Sequence, residues 1–223
     1  MKKSNTLRQT ILAVIFALTA VMAFIPVIGF VPGPLPIGIN LLLIPTAVAA
    51  IVLGKYYGLA AGAFMGLLSF IYAWTLGAYP LEMFFRYPHV SILARVPVGF
   101  VMAIVYKHTK RLFRGKDVPA CIAGAVAGAI TNTVLVFLSL WFTIAVAPNL
   151  VPEFEAVRGP FLTLAAIIFS VNFPIEIAAL VIIVPPIVYA LKRTPQFREQ
   201  ITNYKLQTTN EVENPEPINH NSD

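Results

Sequence analysis

A single cysteine, Cys121, stands in 223 residues. No intramolecular disulfide and no cysteine-cluster metal site is therefore possible, and Cys121 is expected to pack in a helix. Charge is almost as scarce. Only 12% of the residues are Asp, Glu, Lys or Arg, about half the usual fraction of a soluble domain. Chemistry-bearing patterns are missing too. There is no G-x-x-x-x-G-K-[ST] loop, so ATP is not bound in that way. There is no H-E-x-x-H, G-x-S-x-G or C-x-x-C, and histidine occurs only three times. A membrane protease, lipase or redox enzyme has no constellation to work with. An internal repeat of the kind found in full-size secondary transporters is not evident either.

What the chain has is hydrocarbon. It is 58% hydrophobic with a mean hydropathy of +0.79. The apolar residues come in runs and do not alternate, which excludes a barrel and predicts an all-α integral membrane protein. Six spans are expected in one bundle, at about 10–25, 37–53, 57–76, 90–106, 118–145 and 160–189. The second is short and contains Pro45, and the sixth contains Pro174 and Pro185–Pro186. The basic start and apolar core of "MKKSNTLRQTILAVIFALTAVMAF" also resemble a signal peptide. The cleavage site would be weak and further spans follow, so an uncleaved first helix is the preferred reading.

The net charge of +6 follows the topology. With the N-terminus cytoplasmic, inside segments hold twelve Lys and Arg residues, including the run "KHTKRLFRGK". Outside loops hold only Arg86 and Arg158. The positive-inside rule then places both termini in the cytoplasm, with no need for a nucleic-acid partner. Residues 1–9 are read as a cytoplasmic N-terminus and 10–191 as the membrane domain. Residues 192–223 form a cytoplasmic tail, too polar from about Gln200 to fold by itself.

Small residues recur at four-residue spacing on three spans: Ala13 and Ala17; Gly58, Gly62 and Gly66; Ala120, Gly124 and Gly128. Such stripes allow close backbone approach in lipid. Those of the third and fifth spans read as internal packing. The stripe of the first span fits packing or contact with another protein equally well. Inside the spans the polar groups are Arg95, Glu176, Asn132 and Asn172. A charge there faces the bundle interior or a cavity. Arg95 either pairs with Glu176 or offers its guanidinium fork to an anionic or carbonyl group in an outward-open pocket. The loop before it, "PLEMFFRYPHV", adds aromatic and polar groups suited to a ligand wall, or to an interfacial aromatic belt.

Taken together, "ILAVIFALTA", "INLLLIPTAVAAIVLGKYYGLAAGAFMGLLSF" and "ILARVPVGFVMAIVYK" resemble, in that order, the S components of energy-coupling-factor (ECF) vitamin transporters. The resemblance covers roughly 8–192. It implies a multi-pass protein of the bacterial cell membrane that is not an enzyme and carries no cofactor. Such a subunit binds a water-soluble vitamin and docks on a transmembrane T subunit and two ABC-type ATPases, where ATP and Mg are used. It implies docking through Ala13 and Ala17, and a ligand site built from Tyr87, His89, Arg95, Asn132, Trp141 and Asn172. The pattern around spans two to four is most similar to the branch for pantothenate, pyridoxine or hydroxymethylpyrimidine, and folate. Pantothenate is the favoured expectation: Arg95 would take its carboxylate, Asn132 and Asn172 its amide and hydroxyls. The usual F-S-P before span four is replaced here by "FRYPHV".

Overall fold

A computed structural model describes residues 2–25, 28–31, 38–77, 80–146 and 172–195. The loop at 147–159, the first part of the expected sixth span and most of the polar tail lie outside the described residues. The described part is helical, as expected, except for one antiparallel pairing of Phe30–Val31 (β1) with Ile39–Asn40 (β2). Its six α-helices are α1 (Lys2–Phe24), α2 (Leu43–Leu53), α3 (Lys55–Thr75), α4 (Val96–Leu112), α5 (Asp117–Val146) and α6 (Phe173–Arg193). A 3-10 helix (Pro80–Arg86) and a π-helical turn (His89–Leu93) lead into α4.

Among the described residues, four stretches are long and apolar enough to cross a bilayer: Lys55–Thr75, His89–Leu112, Asp117–Thr143 and Phe173–Arg193. The apolar part of α1, Arg8–Phe24, is a little shorter. The expected second span turns out differently. Its first residues form β2 and a turn, and the eleven residues of α2 rise only about 16 Å. All of them but Val52 are buried, so α2 is a core helix wrapped by its neighbours. Pro45 sits in its first turn, where a missing N–H costs no helical bond. Pro174 likewise falls in the first turn of α6, and α6 runs on through Pro185 and Pro186 to Arg193.

Glycine decides how close the helices come. A Cβ at Gly58 or Gly62 would lie 2.5 Å from the carbonyl oxygen of Gly99 or Arg95 respectively. A Cβ at Gly66 would lie 2.7 Å from the Ser91 carbonyl oxygen. The three-glycine face of α3 therefore lies directly on the backbone of the π turn and α4. On the other side of α4, Gly124 and Gly128 of α5 receive the backbone and side chain of Met102. Between these seams Leu42, Leu43, Met65, Met102, Leu180 and Val184 fill the core.

α1 packs through Ile15 and through Phe16, which stacks on Phe64 of α3 at 4.2 Å. Its opposite face is left open: Ala13 and Ala17 are exposed, with Val14 at 63% and Leu18 at 53%.

Backbone atoms cannot step aside from an added methyl group. Gly62→Ala should therefore destabilise the fold by about 1–3 kcal/mol. Thermal unfolding in detergent reads this directly; an unchanged melting temperature would show that the α3–α4 seam is not close-packed.

Candidate functional site

One end of the bundle holds a cavity built from both strands, the 3-10 helix, α3, α5 and α6, with Arg95 added from just before α4. β1 and β2 contribute Phe30 and Asn40, α3 contributes Ser69 and Tyr72, and the 3-10 helix contributes Glu82 and Phe85. Arg95 comes from the residue before α4, Asn132 and Thr133 from α5, and Asn172 and Glu176 from the start of α6. Cavity and open mouth together take in about 750 Å³. The walls are mostly apolar and aromatic, with Phe30 stacked on Tyr72 at 4.3 Å.

Arg95 is 3% exposed. Its position is set by the glycine seam, since the Arg95 carbonyl rests on Gly62. Nη1 donates to the Ser91 carbonyl at 3.2 Å, and the guanidinium lies over the Phe85 ring at 4.6 Å, a cation–π contact. The carboxylate of Glu176 acts on this charge across the cavity without closing to an ion pair. Of the two alternatives for Arg95, the direct pair with Glu176 does not form, and the two residues line one cavity with separate tasks. Glu176 Oε1 accepts the backbone N–H of Asn40 at 3.0 Å, which ties α6 to β2. The Asn40 side chain accepts from the Leu42 N–H at 3.1 Å and organises the turn into α2.

Other polar atoms here have no such task. Ser69 Oγ, Arg95 Nε and Asn132 Oδ1 are buried and make no hydrogen bond among the described residues. Buried polar groups are normally satisfied, and leaving one unmet costs about 1–3 kcal/mol. Three of them lining one cavity, beside the carboxylates of Glu82 and Glu176, make a surface suited to a ligand with both an anionic group and hydrogen-bond donors.

Of the six residues expected at the site, Arg95, Asn132 and Asn172 line the cavity. Tyr87, His89 and Trp141 are not among its lining residues. Tyr87 packs against a cluster of Phe84, Phe85, Val90, Val136 and Leu140, of which Phe85, Val136 and Leu140 also form cavity wall. His89 Nε2 lies 2.7 Å from Thr143 Oγ1. That hydroxyl donates its own proton to the Ser139 carbonyl, so His89 is the donor in the pair. Trp141 is 56% exposed on the outer face of α5. It follows Asn132 by nine residues, a rotation of about 180° around the helix. Ser69, Thr133, Asn40 and Glu82 are among the lining residues that sequence reasoning did not select. For Asn40 and Ser69 the available signal was a lone polar residue in an apolar run.

Residues 7–188 match the family model described as "ECF transporter, substrate-specific component". The chain belongs to this family. It is thus a substrate-binding transport component with several helices able to cross a membrane, not an enzyme. ECF substrate-specific components work in a complex with other transporter subunits. Among curated proteins, the pantothenate transporter PanT of Leuconostoc mesenteroides subsp. mesenteroides is 28% identical over 143 residues. The aligned stretch is 62% of this chain and 70% of that protein.

Because Asn132 Oδ1 is buried without a partner among the described residues, Asn132→Leu should raise the melting temperature of the unliganded protein while weakening ligand binding. A calorimetric scan paired with a binding titration separates the two effects; loss of stability would mean the amide holds the fold.

Proposed function

We propose that this S component binds a water-soluble vitamin with high affinity in the cavity above, and that the vitamin is pantothenate. The observation that carries the reading is Arg95: buried, aimed into the cavity, with Nε unbonded among the described residues. A guanidinium in that setting is a fork for a carboxylate. Pantothenate supplies one, together with an amide and two hydroxyls. Asn132 and Asn172 match the amide and hydroxyls, and Glu82 and Glu176 offer acceptors for the hydroxyl protons. The likeness to a pantothenate transporter supports the same assignment.

In this reading the chain crosses a bacterial cell membrane six times with both termini in the cytoplasm. Arg8 and Lys192, near the two ends of the described chain, line one cleft, which supports an even number of crossings. Uptake is energised by a T subunit and two ABC-type ATPases that use ATP and Mg. The exposed Ala13–Ala17 face of α1 is the docking surface for the T subunit. Small residues there let a partner helix approach closely.

A second reading has one specific support. The two cavity carboxylates would also suit a donor-rich vitamin without an acid group, such as pyridoxine or hydroxymethylpyrimidine. Titration of the detergent-purified chain with pantothenate, pyridoxine, hydroxymethylpyrimidine and folate decides between them. Pantothenate should bind tightly. Arg95→Ala should weaken it by 2–5 kcal/mol, roughly 30-fold or more, in a protein whose melting curve shows it folded. Tight pyridoxine binding that depends on Glu176 and not on Arg95 would establish the second reading.

Docking has its own test. Ala13→Leu with Ala17→Leu should abolish co-purification with the ATPase module and cellular uptake, and leave vitamin binding unchanged. Loss of binding in that double variant would place the stripe in the fold.

A further inference from the structure

At the end of the bundle opposite the vitamin cavity, α1, α2, α4 and α6 surround a second concavity. It takes in about 1260 Å³ counted with its open mouth. Its floor is Ile51 and Val52, and six cations line it: Arg8, Lys107, Lys110, Arg111, Arg114 and Lys192. Some of this charge is used internally. Asp117 at the start of α5 accepts from Lys110 and Lys192, each at 2.8 Å, and from the Tyr106 hydroxyl. Lys107, Arg111 and Arg114 have no carboxylate partner among the described residues. The carbonyl ends of α2, α4 and α6 account for part of the basic preference, but not for its excess.

Arg114 carries the argument further. Its φ is +51°, the single left-handed residue other than glycine among the described residues. It occupies the turn that ends α4. Gly115 N–H donates to the Lys110 carbonyl at 2.8 Å and Arg114 N–H to the Arg111 carbonyl at 3.3 Å. This is the hydrogen-bond pattern in which the left-handed position is usually glycine. The chain has an arginine there instead, with the glycine one residue later. The left-handed backbone is less favourable for arginine than for glycine, and the arginine side chain adds a cation to the cleft. Beside the cleft in sequence, Leu112 and Phe113, between Arg111 and Arg114, are both exposed. Cations interleaved with exposed apolar side chains, where spans leave the bilayer, match an amphiphile and not a free water-soluble polyanion.

We propose that this cleft is a binding site for the phosphate of an anionic phospholipid headgroup. Arg111 and Arg114 contact the phosphate, and Leu112 and Phe113 lie against the acyl chains. The vitamin cavity has no part in it.

Arg114→Gly makes the test clean, because it removes the charge while relieving the backbone. The melting temperature of the detergent-purified full chain is followed against dioctanoyl-phosphatidylglycerol, dioctanoyl-phosphatidylcholine and inorganic phosphate. Phosphatidylglycerol should raise it saturably and phosphatidylcholine should not. Arg114→Gly should weaken the phosphatidylglycerol response roughly fivefold, and Arg111→Gln with Arg114→Gly roughly 25-fold, with pantothenate binding unchanged. Equal responses to the two lipids, or an unaltered response in the double variant, would overturn the proposal. So would an inorganic phosphate response over the same concentration range, which would make the site one for a free anion. Absence of any lipid response, with the double variant losing its ATPase module, would overturn it in favour of an acidic protein segment.

Discussion

The close approach of α3 to the start of α4 is the contact on which the rest depends. Gly58, Gly62 and Gly66 present bare backbone to Gly99, Arg95 and Ser91. Without a hydrophobic drive between helices in lipid, such contact is a main source of packing energy. It also has a positional consequence. The π-helical turn and the first residue of α4 are pressed onto α3, so the Arg95 side chain has little choice but to enter the cavity. A bulkier α3 face would hold the bundle together less tightly and leave the guanidinium less precisely placed.

A buried arginine in a chain of this kind is costly, and the structure meets the cost in parts. The Ser91 carbonyl takes one N–H, the Phe85 ring faces the cation, and Glu176 lines the same cavity. None of these is a direct salt bridge. A closed Arg95–Glu176 pair would satisfy both groups and leave neither for a ligand. Glu176 instead spends one oxygen on the Asn40 N–H, and Arg95 keeps Nε unbonded among the described residues. The arrangement therefore positions Arg95 from several directions while leaving bonding capacity in the cavity.

The two ends of the bundle are built on opposite principles. At the cavity end, polar groups are few, buried and individually placed. At the other end, cations are many and mostly exposed, and one carboxylate, Asp117, gathers Lys110, Lys192 and Tyr106 into a node joining α4, α5 and α6. The first design leaves bonding capacity in a mostly apolar cavity. The second fixes helix ends against each other and gathers positive charge at that end.

The sequence by itself determined the class of protein, because long apolar runs and scarce charge admit few alternatives. It also located Arg95, Asn132 and Asn172, since a polar group in an apolar run has to face an interior. The glycine stripes of α3 and α5 were legible for a similar reason: side-chain size at helical spacing states how close a neighbour can come. Tertiary structure decided what depends on helix phase and partner. Trp141 lies opposite Asn132 on the same helix, and His89 opens an irregular π turn whose rotation no periodicity forecasts. The second apolar run became a short core helix because its neighbours, not its composition, determine whether it meets lipid. Glu82 and Thr133 joined the cavity only because separate segments converge there, and convergence is a property of packing that a linear pattern does not carry.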